Sequence, residues 1–162
     1  YPAEATRRAA KILRTLGTPC LIHQPRYNML QREPEKEGVF DAVADEGMGA
    51  IVFSPLAQGL LTNRYMAGIP ADSRAAFSAF LKPRQVNEAL LKTTRALQDI
   101  ATARQQSLAQ MSVVWALRNP VVTSALIGAS RTSQIEEAVS ALDSPLLTAK
   151  EVEMIEAALV SR

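Results

Sequence analysis

Apolar residues recur along the chain at the spacing of amphipathic helices, and short continuous apolar runs lie between those helices. In residues 3–16 the apolar helical face comprises Ala9, Ile12, Leu13 and Leu16. Gly17 follows this face directly, and glycine commonly ends a helix because it tolerates the left-handed conformation. The pattern therefore predicts a first helix over residues 3–16.

Three short apolar runs predict strands. They cover residues 20–24, 49–53 and 122–127, and the second run is β-branched at its centre. A second short helix, from Val39 to Ala44 and closed by Gly47, separates the first two runs. Helices that alternate with strands favour parallel strands joined by helical crossovers. We therefore predict an α/β fold with three parallel strands and flanking helices.

Four further helices are predicted nearer the C-terminus. They cover residues 87–104, 107–118, 132–141 and 148–160. Three of them have Ser or Thr followed three positions later by Gln or Glu, which is the spacing of a capping box. The three pairs are Ser107 with Gln110, Ser133 with Glu136, and Thr148 with Glu151.

Residues 56–84 differ in kind from the rest of the chain. Glycine and proline interrupt this segment at four positions, and only one or two helical turns can be recognised. Loops of this length without regular structure are usually functional or disordered. We interpret the segment as a long excursion over one end of the sheet. A mixed acidic stretch, with glutamates at positions 33, 35 and 37, is predicted to be an exposed loop.

The composition is that of a globular protein with one sizeable core. Of 162 residues, 48% are apolar and 21% are charged, and the net charge is +2. No block of basic residues suggests nucleic acid, and no apolar run is long enough for membrane insertion. The single cysteine, Cys20, excludes an internal disulfide and fits a reducing compartment. We therefore expect a cytoplasmic location.

The first residues of the sequence are unusual for the start of a protein. The chain opens on Tyr1 without an initiator methionine and runs directly into the first predicted helix. We expect the chain to be the C-terminal part of something longer, or processed material.

The stretch from Ser124 to Glu137 predicts a strand, a tight turn and a helix. Small residues at the turn, Gly128 and Ser130 among them, let a bound group approach the backbone. The free N–H groups and the dipole at a helix start suit a phosphate, and Arg131 adds a full positive charge. An ordinary strand-to-helix turn remains an equally weighted interpretation of these residues.

Small or polar residues follow all three predicted strands. In parallel α/β proteins ligands bind at the carboxyl ends of the strands. Gln24 offers an amide that can match a ligand amide, and Phe53 offers a ring for stacking. Taken singly, Gln24 is more typical of a strand-end residue that bonds a neighbouring loop, and Phe53 is more typical of a core residue. His23 is interpreted as structural, since no second histidine or nearby ligand set predicts a metal site.

Three arginines could meet a phosphate-rich ligand. Arg64 and Arg74 lie on the predicted excursion and Arg131 on the glycine turn. Arginine bonds to phosphate are strong and directional. A solvated surface role is the alternative for each of them.

Taken together, the motifs resemble those of the aldo-keto reductases, in the branch that includes potassium channel β subunits and bacterial glyceraldehyde 3-phosphate reductases. The matching segments are LIHQPRYNML at 21–30, FSPLAQGLLTNRY at 53–65, GIPADSR at 68–74 and SLAQMSVVWALRNPVVTSALIGASRTSQIEEAV at 107–139. The resemblance extends over essentially the whole chain. It implies a (β/α)8 barrel, of which residues 1–162 would be the C-terminal portion with the last three strands.

The resemblance also implies NADPH (the NADP cofactor) bound across the carboxyl ends of those strands. Gln24 would bond the nicotinamide carboxamide and Phe53 would stack on the nicotinamide ring, where the channel subunits have Trp. The remaining implied cofactor residues are Ser54, Leu56, Gln58 and Gly59 for the pyrophosphate side, Arg64 and Arg74 for the belt over the cofactor, and Gly128, Ser130, Gln134 and Glu137 for the adenosine phosphate.

The implied activity is reduction of small aldehydes or ketones, with sugar phosphates among the candidate substrates. In the family a tyrosine donates a proton while hydride leaves the nicotinamide. The three tyrosines here, at positions 1, 27 and 65, do not match that residue, so no catalytic residue is assigned. A cofactor-binding regulatory subunit and a non-catalytic fragment are the alternatives. Because three strands leave unpaired edges, we expect association with other chains, such as a homo-oligomer.

Overall fold

The computed structural model describes residues 1–77 and 79–160. Its helices are α1 (Ala3–Thr15), α2 (Glu33–Lys36), α3 (Val39–Asp45), α4 (Arg74–Phe77), α5 (Glu88–Ala103), α6 (Leu108–Leu117), α7 (Thr132–Ser140) and α8 (Ala149–Val160). Its strands are β1 (Ile22–His23), β2 (Gly49–Phe53) and β3 (Val122–Leu126). The predicted α/β class, with three parallel strands and flanking helices, is confirmed.

The chain divides into two compact units. The first comprises Tyr1–Pro55 with Ala116–Gly128, and the second comprises Leu56–Trp115 with Ala129–Arg162. The first unit contains the sheet, in the order β1-β2-β3. The second contains the irregular segment after β2 and most of the later helices.

In the first unit, alternate residues of β2 face opposite sides of the sheet. Ala50 and Val52 are fully buried, whereas Gly49, Ile51 and Phe53 are partly exposed on the other face. Ile22 and Leu126 pair in register with that second face and are 52% and 51% exposed. One face of the sheet is therefore covered within the unit, and the other presents apolar side chains.

A register shift between β2 and β3 lies at Ala50 and Ile51. Thr123 donates its hydroxyl to the carbonyl of Ala50 at 3.0 Å. A Cβ atom on Gly49 would come within 2.7 Å of that hydroxyl oxygen. Glycine is therefore required where the extra residue of β3 approaches the neighbouring strand.

In the second unit, α5 packs against α8. Their buried faces include Leu97, Ile100 and Ile155. The predicted capping pairs at the starts of α6 and α8 are both present. Gln110 accepts from the N–H of Ser107 at 2.8 Å, and Glu151 accepts from the N–H of Thr148 at 2.7 Å.

The segment between β2 and α5 is as irregular as predicted. It contains short 3-10 turns at Ala57–Gly59, Asn63–Tyr65 and Pro83–Gln85, and the single-turn helix α4. Tyr65, Ala75 and Leu81 form a small buried cluster within it. The segment thus has its own apolar anchor despite its lack of regular structure.

Candidate functional site

In the first unit, the carboxyl ends of three strands lie at one edge of the sheet, because the strands are parallel neighbours. Gln24 and Ser54 directly follow β1 and β2, and Gly128 lies two residues beyond β3. Backbone pairing continues past the end of β1. The N–H of Phe53 donates to the carbonyl of Pro25 at 3.0 Å, and that of Tyr27 to the carbonyl of Phe53 at 3.3 Å.

Gln24 and Phe53 line one open cleft of about 530 Å³. Charged residues on its walls include Arg26, Glu33 and Glu37. The amide of Gln24 is exposed and forms no hydrogen bond with any residue that the structure describes. A free amide beside a half-exposed aromatic ring fits a flat ring that carries a carboxamide.

His23 lines the same cleft. Both of its ring nitrogens are buried and have no hydrogen-bond partner among residues 1–77 and 79–160. Burial, and to a lesser extent the positive N-terminus, lower the pKa of His23 below its usual value. Its imidazole is therefore held in the neutral form near pH 7. Within the described chain, no three His, Cys, Asp or Glu residues group as metal ligands.

Ser54 has a left-handed backbone, with φ at +57°. That conformation is rare for any residue with a side chain, and Pro55 disfavours it further through its ring. The carbonyl of Ser54 accepts a hydrogen bond of 2.9 Å from the side-chain amide of Asn28. Such strained residues cluster at functional sites.

A buried polar network holds the loop that follows β1. Tyr27 is fully buried and accepts from the guanidinium of Arg118 at 2.7 Å. Arg118 also binds Glu35 at 2.8 Å, and Arg32 binds the other oxygen of that carboxylate at 2.8 Å. Burial raises the pKa of Tyr27 to about 12, although the Arg118 bond opposes that shift.

The prediction of an exposed acidic loop at residues 33–37 is therefore only partly confirmed: Glu33 and Glu37 are exposed, but most of the segment is helical and Glu35 is half-buried. The segment contains α2, and Glu35 is bonded on both sides by arginine. The sequence alone did not reveal this, because Arg118 lies 83 residues further along the chain.

In the second unit, the predicted pyrophosphate residues lie on a tight turn. The carbonyl of Leu56 accepts from the N–H groups of Gly59 and Leu61 at 2.9 and 3.2 Å. Gln58 is left-handed, with φ at +60°, and donates from its side chain to the carbonyl of Phe80 at 3.2 Å. Gly59 has φ at +93°, a conformation suited to glycine.

The two predicted belt arginines differ in their surroundings. Arg64 is paired with Asp72, at 3.0 Å to its carboxylate and 3.1 Å to its carbonyl. Arg74 is exposed at the start of α4, without a partner in the described part of the chain. Arg64 is therefore held in place, whereas Arg74 is free to meet a ligand.

Gln134 is occupied by the start of its own helix. Its side-chain oxygen accepts from the N–H groups of Ser130 and Arg131 at 2.8 and 3.2 Å. The predicted capping box of Ser133 with Glu136 is wrong, since α7 begins at Thr132 and Gln134 binds the N–H groups before it. Glu137 is half-buried, and its carbonyl accepts from the hydroxyl of Ser140.

The structure adds residues that the sequence did not indicate. Asn28 lies in the loop between β1 and α2 and bonds the carbonyl of Ser54, and Arg118 bonds Tyr27 in the same loop. The available signal for Asn28 was its place between two buried apolar residues, Tyr27 and Met29. A buried amide needs hydrogen-bond partners, so that position predicts a structural role.

Residues 2–160 match the model of the aldo/keto reductase family. The chain belongs to the aldo/keto reductase family. It is 44% identical over 160 residues to L-glyceraldehyde 3-phosphate reductase of Escherichia coli strain K12, covering 96% of this chain and 46% of that protein. It is 38% identical over 146 residues to a probable voltage-gated potassium channel subunit beta of Oryza sativa subsp. japonica, covering 88% and 44%.

A similar match is found in Arabidopsis thaliana, where a probable voltage-gated potassium channel subunit beta is 36% identical over 146 residues. The chain spans about half the length of the curated relatives it matches. The predicted family and branch are confirmed. None of the helices described here is both long and apolar enough to cross a bilayer.

Proposed function

We propose that this chain supplies the cofactor-binding part of an NADPH-dependent reductase of small aldehydes or ketones. Family membership supports an oxidoreductase, and the bacterial relative is named for a phosphorylated aldehyde. Sugar phosphates such as glyceraldehyde 3-phosphate are therefore the substrates to test first. The observation that carries the proposal is the free Gln24 amide beside the Phe53 ring at the carboxyl edge of the sheet.

In this proposal Gln24 binds the nicotinamide carboxamide and the Phe53 ring stacks on the nicotinamide. Ser54 at the same edge, with Leu56, Gln58 and Gly59 on the tight turn of the second unit, binds the pyrophosphate. The adenosine phosphate is assigned to Gly128 after β3, to Ser130 before α7, and to Gln134 and Glu137 within α7.

Arg64 and Arg74 add positive charge, which favours NADP over NAD because the additional phosphate of NADP is anionic. The ion pair with Asp72 orients the guanidinium of Arg64 before any ligand arrives. The exposed Arg74 can order around a phosphate on binding.

When bound, NADPH supplies the hydride for carbonyl reduction. The residues of this chain bind and orient the cofactor, and the proton donor belongs to a part of the family's barrel that this chain does not match. The apolar face of the sheet, with Ile22 and Leu126 half-exposed, supports the proposal that residues 1–162 form the C-terminal portion of a single barrel domain. If residues 1–162 exist alone instead, their unpaired sheet edges favour association with other chains, such as a homo-oligomer. The free thiol of Cys20 favours a reducing, cytoplasmic location.

The enzyme proposal is tested with the full-length protein. NADPH oxidation is followed with a panel of aldehydes that includes glyceraldehyde 3-phosphate, and matched reactions contain NADH. We expect turnover with NADPH and a lower kcat/KM with NADH. Tight NADPH binding without turnover of any aldehyde would remove the enzyme claim while leaving the cofactor site intact.

A second function, a cofactor-binding regulatory subunit, is favoured by the similarity to two proteins named as channel β subunits. The measurement that separates the two functions is the rate of NADPH release. Release over hours together with capture of a membrane protein would favour the regulatory subunit. Rapid exchange of cofactor during multiple turnovers would exclude it.

A further inference from the structure

Ser54 adopts a conformation that its own sequence context opposes. Its φ of +57° lies in the left-handed region, which is unfavourable for serine. The residue that follows is Pro55, whose ring restricts the preceding residue to extended conformations. Local preferences alone would therefore move Ser54 into the extended region, so the surrounding structure must hold it.

Asn28 provides that restraint. It is 0% exposed, and its side-chain N–H group donates to the carbonyl of Ser54 at 2.9 Å. The same amide donates to the side-chain oxygen of Gln31 at 3.0 Å, and its own oxygen accepts from the N–H of Leu30 at 3.0 Å. Both ends of the amide are bonded, so the Asn28 side chain has a fixed orientation, and its bond to Ser54 is partly buried.

The backbone around Asn28 is fixed as well. Asn28 and Gln31 exchange backbone hydrogen bonds of 3.0 and 3.1 Å in an isolated antiparallel bridge. Phe53 is bonded through its N–H and its carbonyl to the chain on either side of Arg26. The loop after β1 therefore holds Phe53 and Ser54, at the end of β2, through hydrogen bonds.

We propose that Asn28 is a positioning residue for the cofactor site: its amide holds Ser54 in the left-handed conformation and thereby sets how Phe53 and Ser54 meet the nicotinamide cofactor. The inference rests on the proposed function. Asn28 touches no cofactor atom in this arrangement. Its loss should weaken cofactor binding only by reducing the fraction of protein that is preorganised for binding.

The test removes Asn28 in backgrounds that keep or relieve the strain. In the full-length protein, Asn28→Ala is combined with Ser54→Ala, which keeps a Cβ atom, and with Ser54→Gly, which tolerates a positive φ. NADPH affinity is measured by titration of nicotinamide fluorescence. We expect Asn28→Ala to weaken binding about tenfold beside Ser or Ala at position 54, and by less than about threefold beside Gly. The larger effect should appear in KM for NADPH and the smaller one in kcat at saturating NADPH, because bound cofactor favours the preorganised conformation.

Two control variants separate positioning from loss of stability. Gln31→Ala removes one bond of the Asn28 amide and keeps the bond to Ser54, so NADPH affinity should stay within about twofold of wild type. Val43→Ala truncates a fully buried residue of α3 and should lower the urea midpoint without changing NADPH affinity. An affinity loss in Val43→Ala equal to that in Asn28→Ala would overturn the positioning role.

The outcomes distinguish the inference from the proposed function. Absence of NADPH binding in the wild-type protein would overturn the proposed function, and the positioning role with it. Normal wild-type binding with equal Asn28→Ala effects in the Ala and Gly backgrounds would overturn the positioning role alone. If Asn28→Ala does not fold, the urea midpoints of the two Ser54 variants test the inference. Ser54→Gly must then be more stable than Ser54→Ala. The reverse order would overturn the inference.

Discussion

Two loops of this chain have comparable irregularity and very different construction. The loop after β1, residues 24–32, contains fully buried Tyr27 and Asn28, and Arg118 holds it through a hydrogen bond to Tyr27 and an ion pair with Glu35. The excursion in the second unit, residues 56–84, is held by a small apolar cluster around Tyr65 and by a largely exposed ion pair. Polar networks that are buried and satisfied restrict a loop to one geometry, whereas small clusters allow local opening.

The difference indicates separate tasks for the two loops. The first loop sets the geometry at the carboxyl edge of the sheet, where Gln24 and Phe53 lie. The second carries Arg64 and Arg74, whose guanidinium groups suit anionic ligands.

The largest expected effect is the loss of Arg118. Arg118→Ala leaves the Tyr27 hydroxyl and the Glu35 carboxylate without this partner in a partly buried setting, and should lower the unfolding free energy by about 3 kcal/mol. Chemical denaturation of the full-length protein measures it. Arg7→Ala is the matched control, because its pair with Asp45 is exposed and should contribute less than about 0.5 kcal/mol. Equal losses of unfolding free energy in Arg118→Ala and Arg7→Ala would contradict the expected difference between the partly buried and the exposed pairs.

Tyr27 should make the first loop sensitive to alkali. Its pKa in the folded protein is raised from 10.0 to about 12, so folding favours the protonated phenol. The associated stability is complete below pH 10 and is lost as pH rises towards 12, by about 2–3 kcal/mol. Comparing the unfolding free energies of the wild-type protein and Tyr27→Phe over this pH range isolates the contribution of Tyr27, since the other tyrosines and the lysines titrate in both proteins. Parallel pH profiles would contradict a raised pKa.

The apolar anchor of the second loop should have a smaller and more local effect. Leu81→Ala truncates a residue that is 1% exposed in the Tyr65 cluster. If the excursion opens independently, the substitution lowers only the local stability of the excursion, by about 1 kcal/mol. This loss is smaller than the loss of unfolding free energy expected for a buried leucine in a main core. Amide hydrogen exchange should increase within residues 60–86 and stay unchanged in residues 24–32. Faster exchange in both loops would show that they open together.

The smallest effect on stability is expected for the ion pair of the second loop. Asp72 is 82% exposed, so Arg64→Ala should change the unfolding free energy by less than about 0.5 kcal/mol. Under the proposed function the same variant should weaken NADPH binding about tenfold and NADH binding less, because the lost bond is charge-assisted. Fluorescence titration with both cofactors gives the comparison. A similar loss for both cofactors would remove Arg64 from the recognition of the additional phosphate.

Local sequence signals predicted the helices and strands accurately where interactions between residues close in sequence determine the structure. The β-branched run at 49–53 is β2 without any change of bounds, and the pairs Ser107 with Gln110 and Thr148 with Glu151 form as capping boxes. The capping prediction failed at Ser133 because Gln134, one residue later, offers a competing acceptor to the N–H groups before the helix. Spacing alone cannot rank two adjacent candidates.

The residues of the candidate site also fall into two groups, those with a local sequence signal and those placed by distant partners. Gln24 and Phe53 were predicted from their place at the carboxyl ends of strands, and the structure brings them to one cleft. Asn28 and Arg118 were missed because their partners are distant in sequence: Asn28 and Ser54 are 26 positions apart, and Arg118 and Tyr27 are 91 positions apart. The left-handed conformation of Ser54 is likewise set by tertiary contacts, against the local preference of a residue before proline.

The central claim is that the strand ends of the first unit bind a nicotinamide cofactor through Gln24. Titration of NADPH fluorescence with the full-length protein and with its Gln24→Leu variant tests it most directly. The account predicts binding by the wild-type protein and an affinity about tenfold lower for the variant, whose side chain cannot bond the carboxamide. Equal NADPH affinity of the two proteins would contradict it.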